Sequence, residues 1–345
     1  MSMDTLFDSI PTRLLTRLRR LHLAVPPADA SDDDEANASS SSASHSNVYE
    51  PTPFDVVVTR VMLGRSMKLP PDLVDCIFDY AEYWAHSTSV VEDNSGGDPN
   101  QFLLRSYPLG LTSITGKDSA NIAEELAYDC NEAKPLPLAR EHEPQFFARL
   151  VDYPTPRLLH PCRKIVFTIR SHDQGWGGDA DTQGTYRSSW TWFEAGLERF
   201  DASQMCDSKC TYDVRSERPE STAPLLPVCA LRPVVPKIEP AGPEPDNYRY
   251  SHELLPQEEL VIQRNKVATR KTQEHVVQWS WEDKTDQASA AARQLDEAGR
   301  GRATCDGAFV RELRLGDVVT VWGKARFPGW VNYADLVRID IYWLV

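Results

Sequence analysis

The chain has 345 residues, with 51 Asp and Glu against 37 Lys and Arg and a formal net charge of −14. This length suits one large domain or two ordinary ones, and the negative charge argues against general nucleic-acid binding. No run of about 18 apolar residues occurs, so no membrane span is expected.

Seven cysteines are scattered along the chain. An odd, unpatterned set argues against a disulfide scaffold and fits a reducing compartment, cytoplasmic or nuclear.

Within residues 1–25, Leu14, Leu15, Leu18 and Leu21 fall on one side of a short amphipathic helix flanked by Arg13, Arg17, Arg19 and Arg20. A targeting presequence has this look in part, although Asp4 and Asp8 depart from it. Residues 26–50, with the run Ser31-Asp32-Asp33-Asp34-Glu35 and four serines at 39–42, are expected to be a disordered linker. Such a segment buries too little apolar surface to offset the entropy of ordering it.

Residues 51–130 are expected to be a small helical region. Its clearest helix spans Leu69 to His86, where Leu69, Leu73, Cys76, Ile77, Tyr80 and Trp84 recur at helical spacing. Pro70 and Pro71 suit a first turn, where a missing N–H costs little. A shorter helix is expected over 120–128.

Residues 131–345 are expected to be the β domain: 129–160 look irregular, with Pro135, Pro137, Pro144, Pro154 and Pro156, and the two-residue period of strands then sets in. Strands are expected at Lys164–Arg170, Ser189–Glu194, Glu259–Arg264, His275–Trp281 and Val318–Ala325, and in a final run with Val337, Ile339, Ile341 and Trp343 on one face. Two disordered insertions are expected to interrupt them. Residues 201–257 hold nine prolines between Pro219 and Pro256, and residues 284–304 are rich in Ala and charge, with some helical potential. Short strands with turn signals and no alternating helices favour a mainly β fold, an antiparallel β-sandwich or jelly roll with an α-helical N-terminal part.

Eight of the nine tryptophans lie at or after position 176. Trp190 with Trp192, and Trp279 with Trp281, are two apart and share a strand face. They are expected to be core, where each buried indole contributes at most about 4–6 kcal/mol. Trp176 and Trp330 sit in Gly-rich loops, where a ligand can approach.

The stretch Ser171-His172-Asp173-Gln174-Gly175-Trp176-Gly177-Gly178 gathers a hydroxyl, an imidazole and a carboxylate at a strand end. Neighbouring strand residues point to opposite faces, so these three do not align as a hydrolytic triad. His172, Asp173, Asp179 and Asp181 supply oxygen and nitrogen donors without a calcium-loop spacing. Cys206-x3-Cys210 with Cys229 lacks a clear fourth zinc ligand. No catalytic residue, metal or cofactor is therefore assigned. The candidate ligand-binding set is His172, Asp173, Trp176, Arg264, Arg326 and Trp330. Arg264 opens the basic run Arg264–Lys271.

Three stretches resemble a family of uncharacterised fungal proteins: Leu69-Pro70-Pro71-Asp72-Leu73-Val74-Asp75 running to Tyr83-Trp84, Ile165–Gly178 with Trp190–Gly196, and Gly316-Asp317 to Trp343. The first stretch also resembles the opening helix of an F-box, which implies a Skp1-like partner and a ubiquitin-ligase adaptor role. In place of the further short helices and Cys-Arg-x-Trp-like close of an F-box, the chain runs into Glu92-Asp93-Asn94-Ser95-Gly96-Gly97. The C-terminal half is loosely similar to galactose-binding-like jelly rolls, which often end in a Gly- and Trp-rich turn such as Arg326–Trp330.

The leading expectation is a non-enzymatic intracellular module that binds a protein partner or small ligand through its sandwich loops. The alternatives are the F-box-like adaptor and a hydrolase using His172 and Asp173.

Overall fold

The computed structural model describes residues 49–92, 100–112, 135–208, 210–215, 224–252, 255 and 260–345. The expected helix at 11–23, the acidic linker up to residue 48 and the expected helix at 120–128 lie outside these residues.

Two helices open the described chain. Helix α1 (Pro53–Ser66) begins with a reciprocal cap: Asp55 N–H donates to Thr52 Oγ1 at 3.2 Å and Thr52 N–H to the Asp55 carboxylate at 2.9 Å. Helix α2 (Pro71–Ala81) is shorter than the expected 69–86. It stops because Glu82 adopts φ 49°, and Tyr83 N–H turns back to the Phe78 carbonyl at 2.9 Å. Val74, Ile77 and Phe78 face inward while Tyr80 is exposed.

The chain then enters a sandwich of antiparallel strands: β1 (Ala85–Glu92), β2 (Asn100–Arg105), β3 (Cys162–His172), β4 (Thr191–Phe200), β5 (Thr211–Tyr212), β6 (Leu226–Pro227), β7 (Leu231–Val235), β8 (Ile238–Pro240), β9 (Tyr248–Tyr250), β10 (Val261–Arg264), β11 (Gln273–Ser280), β12 (Val318–Ala325) and β13 (Tyr333–Trp343). Three short helices sit in the connections: α3 (Pro144–Ala148), α4 (Ala290–Glu297) and α5 (Ala308–Glu312).

One sheet has the order β1-β13-β3-β11 and the other β10-β4-β12-β2, with β7 also on β4. This interleaving of early and late strands is a jelly roll. Between the sheets, Ile165, Phe167 and Ile169 of β3 and Val337, Ile339 and Ile341 of β13 pack with Phe193, Ala195 and Leu197 of β4 and Val319 and Val321 of β12.

Three features differ from the sequence reading. The sandwich starts at Ala85, since β1 pairs with β13 and β2 with β12, so the division at residue 130 does not separate a helical region from it. β1 escapes detection because it is an edge strand whose side chains are mostly half-buried, which weakens the alternation.

Second, residues 201–257 contribute order. β7 pairs with β4 opposite residues 197–200, and β8 and β9 form a hairpin. Proline density misled here because Pro233 sits on a strand at the sheet edge, where a lost N–H is tolerated. Within 284–304, Ser289 Oγ caps α4 by accepting from Ala292 N–H at 3.1 Å.

Third, the paired tryptophans divide. Trp192 and Trp279 are buried, whereas Trp190 and Trp281 are half-buried beneath the guanidinium groups of Arg326 and Arg163.

Candidate functional site

The connections β3–β4, β10–β11 and β12–β13 emerge at one end of the sandwich, where Gln273 pairs with Ser171, Tyr333 with His172 and Ala325 with Thr191. Their bases are fastened by a buried amide network. Ser171 Oγ donates to Asn265 Oδ1 at 2.7 Å, Asn265 Nδ2 donates to Asn332 Oδ1 at 2.7 Å, and Asn332 Nδ2 donates to the Trp192 carbonyl at 2.7 Å. Networks of this kind rigidify when every member is satisfied.

Asp173 adds a second clamp. Its buried carboxylate accepts N–H groups from Gly175 at 2.7 Å, Thr269 at 2.7 Å and Ala268 at 2.5 Å, joining the β3–β4 connection to the β10–β11 connection. Burial raises its pKa, against the lowering by those three donors. Gly175, at φ 80°, lies where a Cβ would come within 2.0 Å of the Arg270 side chain, so only glycine lets that arginine pack here.

On this base lies a strip of aromatic rings. Trp176 meets Trp330 at 6.2 Å between ring centres, Trp330 meets Phe327 at 5.6 Å and Phe327 meets Trp190 at 5.7 Å, with interplanar angles of 63°, 61° and 79°. Such edge-to-face contacts are favourable beyond the area they bury. The Arg326 guanidinium lies 4.5 Å from the Trp190 ring centre and 4.9 Å from that of Phe327. Trp176 is 51% exposed and Phe327 38%. Gly177 makes room for the strip, since a Cβ there would lie 3.0 Å from the Trp330 ring.

Gln174 is buried beside them. Its Nε2 donates to the Trp176 carbonyl at 2.6 Å, and its Oε1 accepts no hydrogen bond among the described residues.

The structure thus brings Trp176, Arg326 and Trp330 together from the sequence-derived set and adds Phe327 and Trp190. His172 stands beside them, stacked on Tyr333 at 4.7 Å, while Asp173 lies beneath as a clamp. Arg264 is separate: it ends the edge strand β10 opposite Trp192, and its N–H donates to the Gly299 carbonyl at 2.7 Å.

A hydrolytic arrangement does not assemble from Ser171, His172 and Asp173. The Ser171 hydroxyl is spent on Asn265, His172 Nδ1 contacts the Asp173 backbone carbonyl at 2.7 Å, and the Asp173 carboxylate is filled by backbone donors. Asp179 and Asp181 do not join His172 and Asp173 in a metal-ligating group among the described residues.

Sequence reasoning missed a charged layer on the outer face of the second sheet. The buried Lys324 ammonium lies 2.5 Å from His252 Nδ1 and 3.4 Å from Glu194, whose carboxylate also accepts from Trp192 Nε1 at 2.6 Å. Arg105 and Glu198 form a two-pronged buried pair at 2.5 and 2.9 Å. Tyr250 and His252 cover this face by packing on Trp322. The alternation of Thr320, Trp322 and Lys324 with Val319 and Val321 was the available signal, but alternation looks the same whether the polar side meets water or another element.

At the opposite end, a cavity of about 370 Å³ is lined by residues that include Glu141, His142, Phe147, Arg199, Arg314 and Asp317. Arg199 binds Asp317 at 2.8 Å and Glu141 at 2.8 Å, and Arg314 binds Glu141 at 2.8 Å. Its cations are already matched to carboxylates, which makes it a weaker ligand site than the aromatic strip.

Compared with known protein families, curated proteins and solved structures, the chain matches none.

Proposed function

We propose that the chain is a non-enzymatic binding module that holds an extended peptide segment of a protein partner along Trp176, Trp330, Phe327 and Trp190. The observation that carries this reading is the unbroken series of partly exposed rings on a hydrogen-bonded base. Rings tilted by 61–79° to their neighbours make alternating ridges and slots. Such relief suits proline and apolar side chains of an extended peptide, whereas a sugar stacks on an open ring face. Arg326 adds a cation at one end. The six described cysteines are unpaired, which fits a reducing, cytoplasmic or nuclear setting.

The test is a peptide-display selection and a glycan array, each with the full chain and with Trp176→Ala and Phe327→Ala. Both side chains are partly exposed but pack on neighbouring rings, so each variant should lose about 1–2 kcal/mol and remain folded. Enriched peptides are expected to lose at least about tenfold in affinity in each variant. Equal binding by the variants would remove the strip as the site, and enrichment of glycans alone would turn the module into a saccharide binder.

A second reading is the F-box-like adaptor with a Skp1-like partner, which rests on the resemblance at Leu69–Trp84, with α1, ion-paired to α2 through Arg60 and Asp75, supplying an exposed apolar face beside it. Val56 and Val57 pack inward, yet Phe54, Val58, Val61 and Met62 recur at helical spacing and are 45–61% exposed. A helix apolar on both sides calls for cover on both. Val58→Asp and Met62→Asp should abolish capture of a Skp1-like protein without moving the melting temperature. Ile77→Asp cannot serve, because Ile77 is itself core.

A further inference from the structure

We propose that Cys206, Cys210 and Cys229 form a three-thiolate site for a thiophilic divalent cation of the zinc type, with the fourth position of the tetrahedron left to a solvent oxygen. The three sulfur atoms lie within 4.8 Å of one another, and they are the group of three or more metal-ligating side chains found among the described residues. Local structure puts them there. Cys210 directly precedes β5, whose two residues pair with β6, and Val228 N–H donates to the Cys210 carbonyl at 3.0 Å. That ladder sets Cys229 Sγ 2.7 Å from Cys210 Sγ. Cys206 is held beside them by Thr211 Oγ1 donating to the Asp207 carbonyl at 2.9 Å.

Zinc–sulfur bonds of about 2.3 Å at tetrahedral angles place sulfur ligands roughly 3.8 Å apart and a sulfur and an oxygen ligand roughly 3.6 Å apart. The Cys210–Cys229 sulfur pair, at 2.7 Å, has to open by about 1.1 Å through side-chain rotation to hold such a cation. Arg232 braces the site from behind: its guanidinium donates to the carbonyls of Cys229 at 2.9 Å and Leu231 at 2.7 Å and to Gln204 Oε1 at 2.6 Å. It therefore ties together the two arms that carry the thiols.

The fold gives such a cation work to do. β5 and β6 have two residues each, too few for independent stability, yet the segment around them delivers Val214, Leu226, Val228 and Ala230 to a buried cluster with Phe147, Phe200 and Val318. A cation gripping residues 206, 210 and 229 would close that loop at its base. On binding, each ligating thiol loses its proton to solvent and the sulfur lone pair bonds the cation, so no oxidant is needed.

The experiment is a cobalt titration of the full-length chain, stripped of metal with a chelator and kept reduced. The expected result is one equivalent of cobalt with thiolate-to-cobalt absorption, displaced by zinc. Cys206→Ser, Cys210→Ser and Cys229→Ser should each weaken binding by more than about 100-fold, with Cys76→Ser unchanged. No thiolate–cobalt absorption in the reduced wild-type chain would overturn the site without relying on any variant to fold. A Cys210–Cys229 disulfide in protein purified without oxygen would overturn it as well, in favour of a redox pair.

Discussion

At the scale of single residues, the end of the sandwich rests on Asp173. Its carboxylate takes three backbone N–H groups from two different connections. Hydrogen bonds to a charged acceptor contribute more than neutral ones, and removing the acceptor strands buried donors. Asp173→Ala is therefore expected to cost about 3 kcal/mol in urea unfolding and to loosen the aromatic strip. A cost below about 1 kcal/mol would show that the connections hold their shape without it. The sequence pointed to Asp173 through its unusual neighbourhood but suggested ligand contact, because a carboxylate in a Gly-rich loop reads the same whether it faces solvent or backbone. Trp176 and Trp330 were legible, since a tryptophan beside glycine in a turn has few other uses. Phe327 and Trp190 were not, because their role comes from a ring contact between connecting residues far apart in sequence.

At the scale of elements, the outer face of the second sheet depends on glycine at one point. A Cβ on Gly196 would lie 2.3 Å from Thr320 Oγ1 and 2.6 Å from the Val235 carbonyl oxygen. The hydroxyl could rotate away, but the carbonyl belongs to β7 and cannot move without breaking its pairing with β4. Gly196→Ala should destabilise the chain by about 2 kcal/mol and speed amide exchange at 231–235 more than in β12. Uniform exchange changes would mean that β7 is not the strand that gives way. The strands with strong alternation, β3, β11 and β13, were legible because one face meets the core and the other water. β7 and β9 were hidden behind prolines, and the cover over the outer face of β12 was not legible because Tyr250 and His252 come from far away in the chain.

At the scale of the whole molecule, acid should weaken the fold through two histidines. Burial, assisted by Lys324, pushes His252 down to about 3, and burial with Lys266 and Arg300 pushes His275 down to about 4. The unfolded chain takes up these protons near pH 6.5, before the native one does. Stability is therefore full above about pH 6.5 and falls as pH drops toward 4, by up to about 1.4 kcal/mol per pH unit for each histidine. Urea midpoints at pH 7, 6 and 5 measure the slope, and His275→Leu should reduce it by one proton. Identical slopes in variant and wild type would remove His275 as a source. The mainly β class and the jelly roll were readable from strand periods and turn signals, whereas the pairing order was not, because period two says which face is buried and nothing about which strand lies alongside.

That pairing order governs how the fold is reached. β13 lies between β1 and β3, so β1, which ends at Glu92, has no neighbour in its sheet until a strand beginning at Tyr333 has been made. During synthesis β1 must wait through the production of every later strand, its edge open to any extended chain nearby. Closure of so distant a pair is slow. The charged and polar side chains Thr88, Glu92 and His86 on that strand then serve the newborn chain, keeping a waiting edge hydrated until its one correct partner arrives.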